Sequence, residues 1–96
     1  MRPSEALEIH RETIRRLIFE AGMTNPRVFG SVVHGKDTEE SDLDLLVDPA
    51  PRTSLLELVR TERLIRENVG LNVDLLTPGD LPPSFRSRVL TEAAPL

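Results

Sequence analysis

The stretch GSVVHGKDTEESDLDLLVD, residues 30–48, decides how this chain folds. A glycine and serine follow the short apolar segment Arg27-Val28-Phe29, and an Asp-x-Asp opens the next apolar segment, Asp42 to Val47. In an extended strand residues i and i+2 share a face, so Asp42 and Asp44 project together while Leu43, Leu45 and Val47 face a core. Two neighbouring carboxylates repel each other, and a fold keeps such a pair most easily where a divalent cation neutralises it. With no His or Cys beside the two acids, the ligands are oxygens only, which favours Mg²⁺ or Mn²⁺ shared with substrate phosphates. Gly30 permits a sharp turn and close approach of a phosphate to the backbone, and Ser31 adds a hydroxyl next to exposed amides. A phosphate corner beside a paired-carboxylate metal site is the equipment of phosphoryl or nucleotidyl transfer.

Outward from this stretch the chain reads as helices alternating with short aliphatic strands. A first helix is expected from Ser4, as N-cap, to Ala21, with Gly22 ending it and Leu7, Ile14, Leu17, Ile18 and Ala21 on the apolar stripe. His10 falls on that stripe and reads as a partly buried helix residue. Asn25-Pro26 marks a turn before the first strand, residues 27–29, and residues 31–35 read as a brief helix. Asp48 precedes Pro49 as a turn former, and Asp37, Glu39 and Glu40 belong to a solvated loop. Ser54 and Glu57 form a capping box for a helix reaching Asn68, with Leu55, Leu58, Val59, Ile65 and Val69 as its buried stripe and Gly70 as its stop. Asn72 to Thr77 is the third strand, and Ser84 to Ala93 a last helix burying Phe85, Val89, Leu90 and Ala93. The order is αβ(α)βαβα, an α/β class with a small three-stranded mixed sheet in one domain spanning 1–96.

Composition narrows the function classes. A formal charge of −4 opposes a general nucleic-acid grip, which depends on basic side chains displacing counterions, and no direct nucleic-acid binding is expected. Eleven of the twelve basic residues are Arg, whose planar fork suits phosphate and carboxylate partners. Cysteine is absent, which rules out thiolate metal sites and thiol nucleophiles. Residues 1–20 hold no apolar run of signal-peptide or membrane length, so the expected location is the cytoplasm, away from membranes.

The Gly30-Ser31 corner, the spacer Val32 to Ser41 and the pair Asp42 and Asp44 resemble the motif of the DNA polymerase β-like nucleotidyltransferases. In that superfamily a third carboxylate lies on a later strand, and Asp74, between Val73 and Leu75, matches it. The resemblance covers nearly the whole chain and points to the minimal nucleotidyltransferase family and its fold. It implies that Asp42, Asp44 and Asp74 hold the metal ions, with Asp74 as a ligand or as base for the acceptor hydroxyl. Gly30 and Ser31 would hold the triphosphate of ATP. One departure is His34, where many relatives carry Arg. The resemblance further implies an antitoxin that forms a hetero-oligomer with a HEPN-type toxin and silences it by transferring AMP to a tyrosine. A binding-only antitoxin of the same fold, and transfer to a small-molecule or RNA acceptor, are the alternatives.

Overall fold

The computed structural model describes all residues, Met1–Leu96. Its order is α1 (Pro3–Glu20), β1 (Thr24–Phe29), β2 (Leu43–Asp48), α2 (Leu55–Val69), β3 (Val73–Leu76), a 3₁₀ turn (Pro78–Asp80), α3 (Pro83–Glu92) and β4 (Ala94–Pro95). The strands lie in the order β3-β2-β1-β4, with β2 and β3 parallel and the other pairs antiparallel. The expected mixed α/β fold is therefore present, with one strand more than the three expected. That extra strand is only two residues long. It is held by pairing with β1, by Leu96 N–H donating to Pro26 O at 3.1 Å, and by Arg15 Nη1 donating to Leu96 O at 2.6 Å. Pro95 is tolerated there because an edge strand leaves one side of its backbone unpaired.

The core lies between α1, α2 and one face of the sheet. Ile14 and Ile18 from α1, Ile65 and Val69 from α2, and Leu43, Leu45, Val47, Val73 and Leu75 from the strands form one buried cluster. Alternation along β2 puts Leu46 on the opposite face with Asp44. Leu46 is also buried completely, and Leu81, following the 3₁₀ turn that packs on β2, is nearly so. The sheet is thus covered over part of its second face as well. No helix is long and apolar enough to cross a membrane.

Several local expectations change. The N-cap of α1 is Arg2, not Ser4, because Pro3 supplies the fixed φ of a first helical position and has no N–H to satisfy; Glu5 then accepts from the Arg2 N–H at 3.1 Å. Strand β1 begins at Thr24 and takes in Pro26 through a register irregularity between Thr24 and Arg27, with Asn25 at φ 53°. Residues 31–35 form a hydrogen-bonded turn and not a helix. Helix α2 is capped by Ser54, whose Oγ accepts from Glu57 N–H at 3.2 Å, and ends on Gly70 in the left-handed region. Its buried stripe is Leu58, Thr61, Ile65 and Val69, leaving Leu55 and Val59 in solvent. Helix α3 buries none of its residues fully; Phe85 and Leu90 are exposed.

Leu45 sits on a central strand with no solvent contact, whereas Leu56 is largely exposed on α2. Leu45→Ala is expected to cost about 3 kcal/mol and lower the melting midpoint by more than ~10 °C, while Leu56→Ala stays within ~0.5 kcal/mol of the parent. Thermal and urea unfolding followed by circular dichroism measure both.

Candidate active site

The open end of the second sheet face carries the acids. In the register, Asp44 stands between Phe29 on β1 and Asp74 on β3, the last pair joined by the parallel ladder. Adjacent strands lie about 4.8 Å apart, so two carboxylates project side by side from neighbouring backbones. Asp42 precedes β2 by one residue and extends the same face. The ladder is fixed at this end by Leu43 N–H donating to Asn72 O at 2.9 Å.

This crowding has an electrostatic signature. The Asp44 carboxyl is pushed up to about 6, first by burial, then by the negative charges of Asp74 and Asp42, and by a hydrogen bond with Asp74. Burial and like charge on either side therefore disfavour the ionised form of Asp44. No three acidic, imidazole or thiol side chains are gathered closely enough to hold a metal ion by themselves. The arrangement is an open, oxygen-only edge, which suits a hard divalent ion that completes its shell with water and substrate phosphate. Asp44 and Asp74, adjacent on the ladder, and Asp42 beside them are oxygen donors of the kind such an ion takes, and are the residues that would hold it.

Gly30 closes the site from the β1 side. Its φ is +76°, and a Cβ there would lie 3.2 Å from Asp44 Cγ and nearer still to its carboxylate oxygen. Only glycine allows both the left-handed backbone and the carboxylate beside it. The following turn is closed by His34 N–H to Gly30 O, Gly35 N–H to Val32 O and Lys36 N–H to Ser31 O. The N–H groups of Ser31, Val32 and Val33 donate to no protein atom, leaving them available to an anion next to the Ser31 hydroxyl.

The loop between the two halves of the motif is anchored more firmly than its composition suggests. Asp37 is buried, and its Oδ2 accepts from the Ser4 N–H in the first turn of α1 at 2.9 Å. Hydrogen bonding from Ser4, hydroxyl and then amide, holds the Asp37 carboxyl below its ordinary range. Glu39, in contrast, is exposed and meets the N-terminal ammonium at 2.6 Å, and Thr38 N–H donates to Ser41 Oγ at 2.8 Å just before Asp42. Of the loop acids, then, Asp37 is a structural anchor that the sequence reading missed. Its only signal is a helix start with unsatisfied amides, far away in the chain. His34 stays on the surface, where it pairs with Glu92 of α3. Asp48 ends β2 and is paired with Arg27 at 2.6 Å and with the Asn25 amide at 3.0 Å, a fixed role beyond turn formation. His10 is half-buried, as expected of its place on the stripe.

Comparison with known proteins agrees with this geometry. The nucleotidyltransferase domain family matches residues 10–96. A Methanocaldococcus jannaschii chain named for protein adenylyltransferase activity is 36% identical over 90% of this chain and 91% of its own length. The protein adenylyltransferase MntA of Thermococcus cleftensis is 35% identical over 90% of this chain and 84% of its own. A solved structure described as a minimal nucleotidyltransferase superposes with a TM-score of 0.86 at 39% identity, covering 97% of this chain and 95% of that one. A toxin–antitoxin crystal structure with AMP-PNP shares the fold, with a TM-score of 0.75 at 19% identity over 88% of this chain and 69% of that one.

Two outcomes follow from the site geometry. Gly30→Ala is expected to cost about 1–2 kcal/mol from the backbone alone, with further loss from the displaced Asp44 carboxylate, read by thermal unfolding. For Asp44, the folded value of about 6 lies above the unfolded one, so the folded state binds more protons between pH 4 and 6 and loses stability as pH rises through that window. Asp44→Asn should therefore be more stable than the parent at pH 8 in EDTA, by on the order of 1–2 kcal/mol after allowing for solvent screening, and gain nothing at pH 3.5. Adding Mg²⁺ at pH 8 should raise the parent's melting midpoint and leave that of Asp44→Asn unmoved.

Proposed function

The chain belongs to the nucleotidyltransferase domain family, as a minimal nucleotidyltransferase, and from that premise we propose that it is a Mg²⁺-dependent protein adenylyltransferase working as an antitoxin. The single observation that carries the reading is the row Gly30, Asp44 and Asp74, in which a glycine in the left-handed region brings a turn with free amides against two adjacent carboxylates. The names of the relatives supply the nucleotide and the acceptor class: both curated chains are named for AMP transfer to protein, and the toxin–antitoxin relative holds AMP-PNP.

In this reading Ser31 and the free amides of the turn hold the β and γ phosphates of ATP, and Gly30 lets them come close to Asp44. Asp42 and Asp44 would hold the divalent ions, whose chemistry, when bound, would be polarisation of the α phosphate and a lowered pKa of the acceptor hydroxyl. Asp74 either completes the ligand set or receives the hydroxyl proton. The acceptor oxygen bonds to the α phosphorus, the bond to the β-phosphate oxygen breaks, and pyrophosphate leaves while AMP remains on the acceptor. The acceptor is a tyrosine of a helical HEPN-type ribonuclease, and the two proteins form a hetero-oligomer in the cytoplasm. The excess of acid in this chain favours encounter with a basic, RNA-binding partner.

Incubation with α-labelled ATP, Mg²⁺ and a helical ribonuclease encoded beside the chain should put label on the ribonuclease. Asp44→Asn should reduce the rate at least about 100-fold, and Glu8→Gln on the exposed face of α1 should leave it unchanged. Equal labelling by Asp44→Asn would overturn the metal assignment. Silencing of the ribonuclease without label would establish the binding-only alternative, and label on an RNA end or a small molecule would move the acceptor.

A further inference from the structure

Nucleotide handling leaves one large feature of the surface unused. Helix α2 holds Leu55, Leu56 and Val59 out in solvent at 75%, 64% and 52% exposure, all in its first two turns. Between this face and β3 runs a groove of about 280 Å³, with Leu58 and Leu75 as its floor and Leu55, Val59 and Leu76 along its open side. The remaining lining residues are Glu62 and Asp80, so every charge in the groove is negative. Exposed aliphatic side chains in such concentration mark a surface that is covered by another molecule.

The backbone beside the groove restricts what that molecule can be. As an edge strand, β3 would ordinarily invite another strand to pair with it. Here the outward N–H of Leu75 donates to Glu62 Oε2 at 2.9 Å, and the outward carbonyl of Val73 accepts from Arg66 Nε at 2.9 Å. Glu62 and Arg66 are themselves paired at 3.3 Å. The edge is closed to strand addition, which leaves insertion of a helix face as the mode that suits an apolar groove. With Glu62 engaged by the Leu75 N–H and Arg66, the exposed Asp80 is the acid that selects a basic residue at the flank of that helix.

Position ties the groove to the site. Leu76 is two residues from Asp74 on the same strand and the same face, a separation of about 6.6 Å, whereas Leu58 and Leu75 belong to the core face, so the groove meets the acidic face across the edge of β3. We propose that this groove seats an amphipathic helix of the protein acceptor, its apolar stripe on Leu55, Val59 and Leu76 and its basic flank toward Asp80, so that the acceptor hydroxyl comes round the edge of β3 to Asp74. The proposal rests on the protein-adenylyltransferase reading for the identity of the occupant, while the groove and its chemistry are independent of it.

The test uses the full-length chain and two stapled helical peptides about four turns long, each with Leu at i, i+3, i+4 and i+7, one flanked by Lys and the other by Glu. Titration followed by amide chemical shifts should place the Lys-flanked peptide on Leu55, Val59 and Leu76, with at least tenfold weaker binding of the Glu-flanked one. The double variant Leu55→Glu/Val59→Glu replaces two exposed side chains, so its melting midpoint should match the parent. It should bind the Lys-flanked peptide at least tenfold more weakly, and label the helical ribonuclease at least tenfold more slowly while keeping the thermal shift given by Mg²⁺–ATP. No binding, shifts elsewhere, equal binding of the two peptides, or unchanged labelling by the double variant would each overturn the proposal. So would a dimer in sedimentation that the double variant abolishes, since a second copy would then be the occupant. Peptide binding by Asp44→Asn separates the two readings: transfer can fail with docking intact, and docking can fail with Mg²⁺–ATP binding intact.

Discussion

The parallel pairing of β2 with β3 is the constraint on which the rest of the structure depends. It sets Asp44 opposite Asp74, and the same register sets Leu43, Leu45 and Leu75 against the helices. A slip of one residue would turn the carboxylates into the core and the leucines into solvent, a cost no local rearrangement could offset. Parallel strands cannot be joined by a tight turn, so α2 must cross between them, and it does so with its stripe of Leu58, Thr61, Ile65 and Val69 facing the sheet. The hydrophobic core and the acidic site are therefore two faces of one register. Selection on either face holds the other in place.

How much of this was legible in the sequence depends on whether the deciding interaction is local. Strand alternation is a local property, so Asp42 and Asp44 on one face and Leu43, Leu45 and Val47 on the other could be read directly. The glycines at 22 and 70 and the Ser54 cap are equally local, and each stands where expected. Asp37 was misread because its partner is the Ser4 amide, 33 residues away, and nothing near it signals burial. The expected stripe of α2 is too wide because Leu55 and Val59 share hydrophobicity with Leu58; which of them meets the sheet is settled only by where the helix lands. The short β4 carries no periodicity and owes its pairing to the ties of Leu96 to Pro26 and Arg15.

The acidic site is maintained against its own electrostatics. Burial and two neighbouring charges raise the Asp44 carboxyl, which means that the folded chain disfavours the ionised form that a metal ligand requires. A protein selected for stability alone would replace one of the acids. Gly30 carries the same message from the backbone, since its left-handed φ and the missing Cβ are both needed to bring the turn against Asp44. Local cost at adjoining positions, joined by a single contact, is the mark of a site kept for what it binds.

The three carboxylates are not held equally. Asp44 and Asp74 are fixed by the ladder, while Asp42 stands at the end of a loop whose anchors are the Asp37–Ser4 bond and the Thr38–Ser41 turn. This edge thus holds two preset carboxylates and one whose position depends on α1, because the first turn of that helix grips the loop through Asp37. Helix α1 therefore contributes to the site without supplying a residue to it: its buried stripe locks it to the sheet, its first-turn amide locks the loop, and the loop delivers Asp42. The same logic places the exposed start of α2 in relation to β3, where Glu62 and Arg66 close the strand edge and leave a groove instead of a free strand. Helices α1 and α2 thus finish two borders of the acidic edge with backbone groups and committed side chains, and Asp42, Asp44 and Asp74 are left between them with no basic partner.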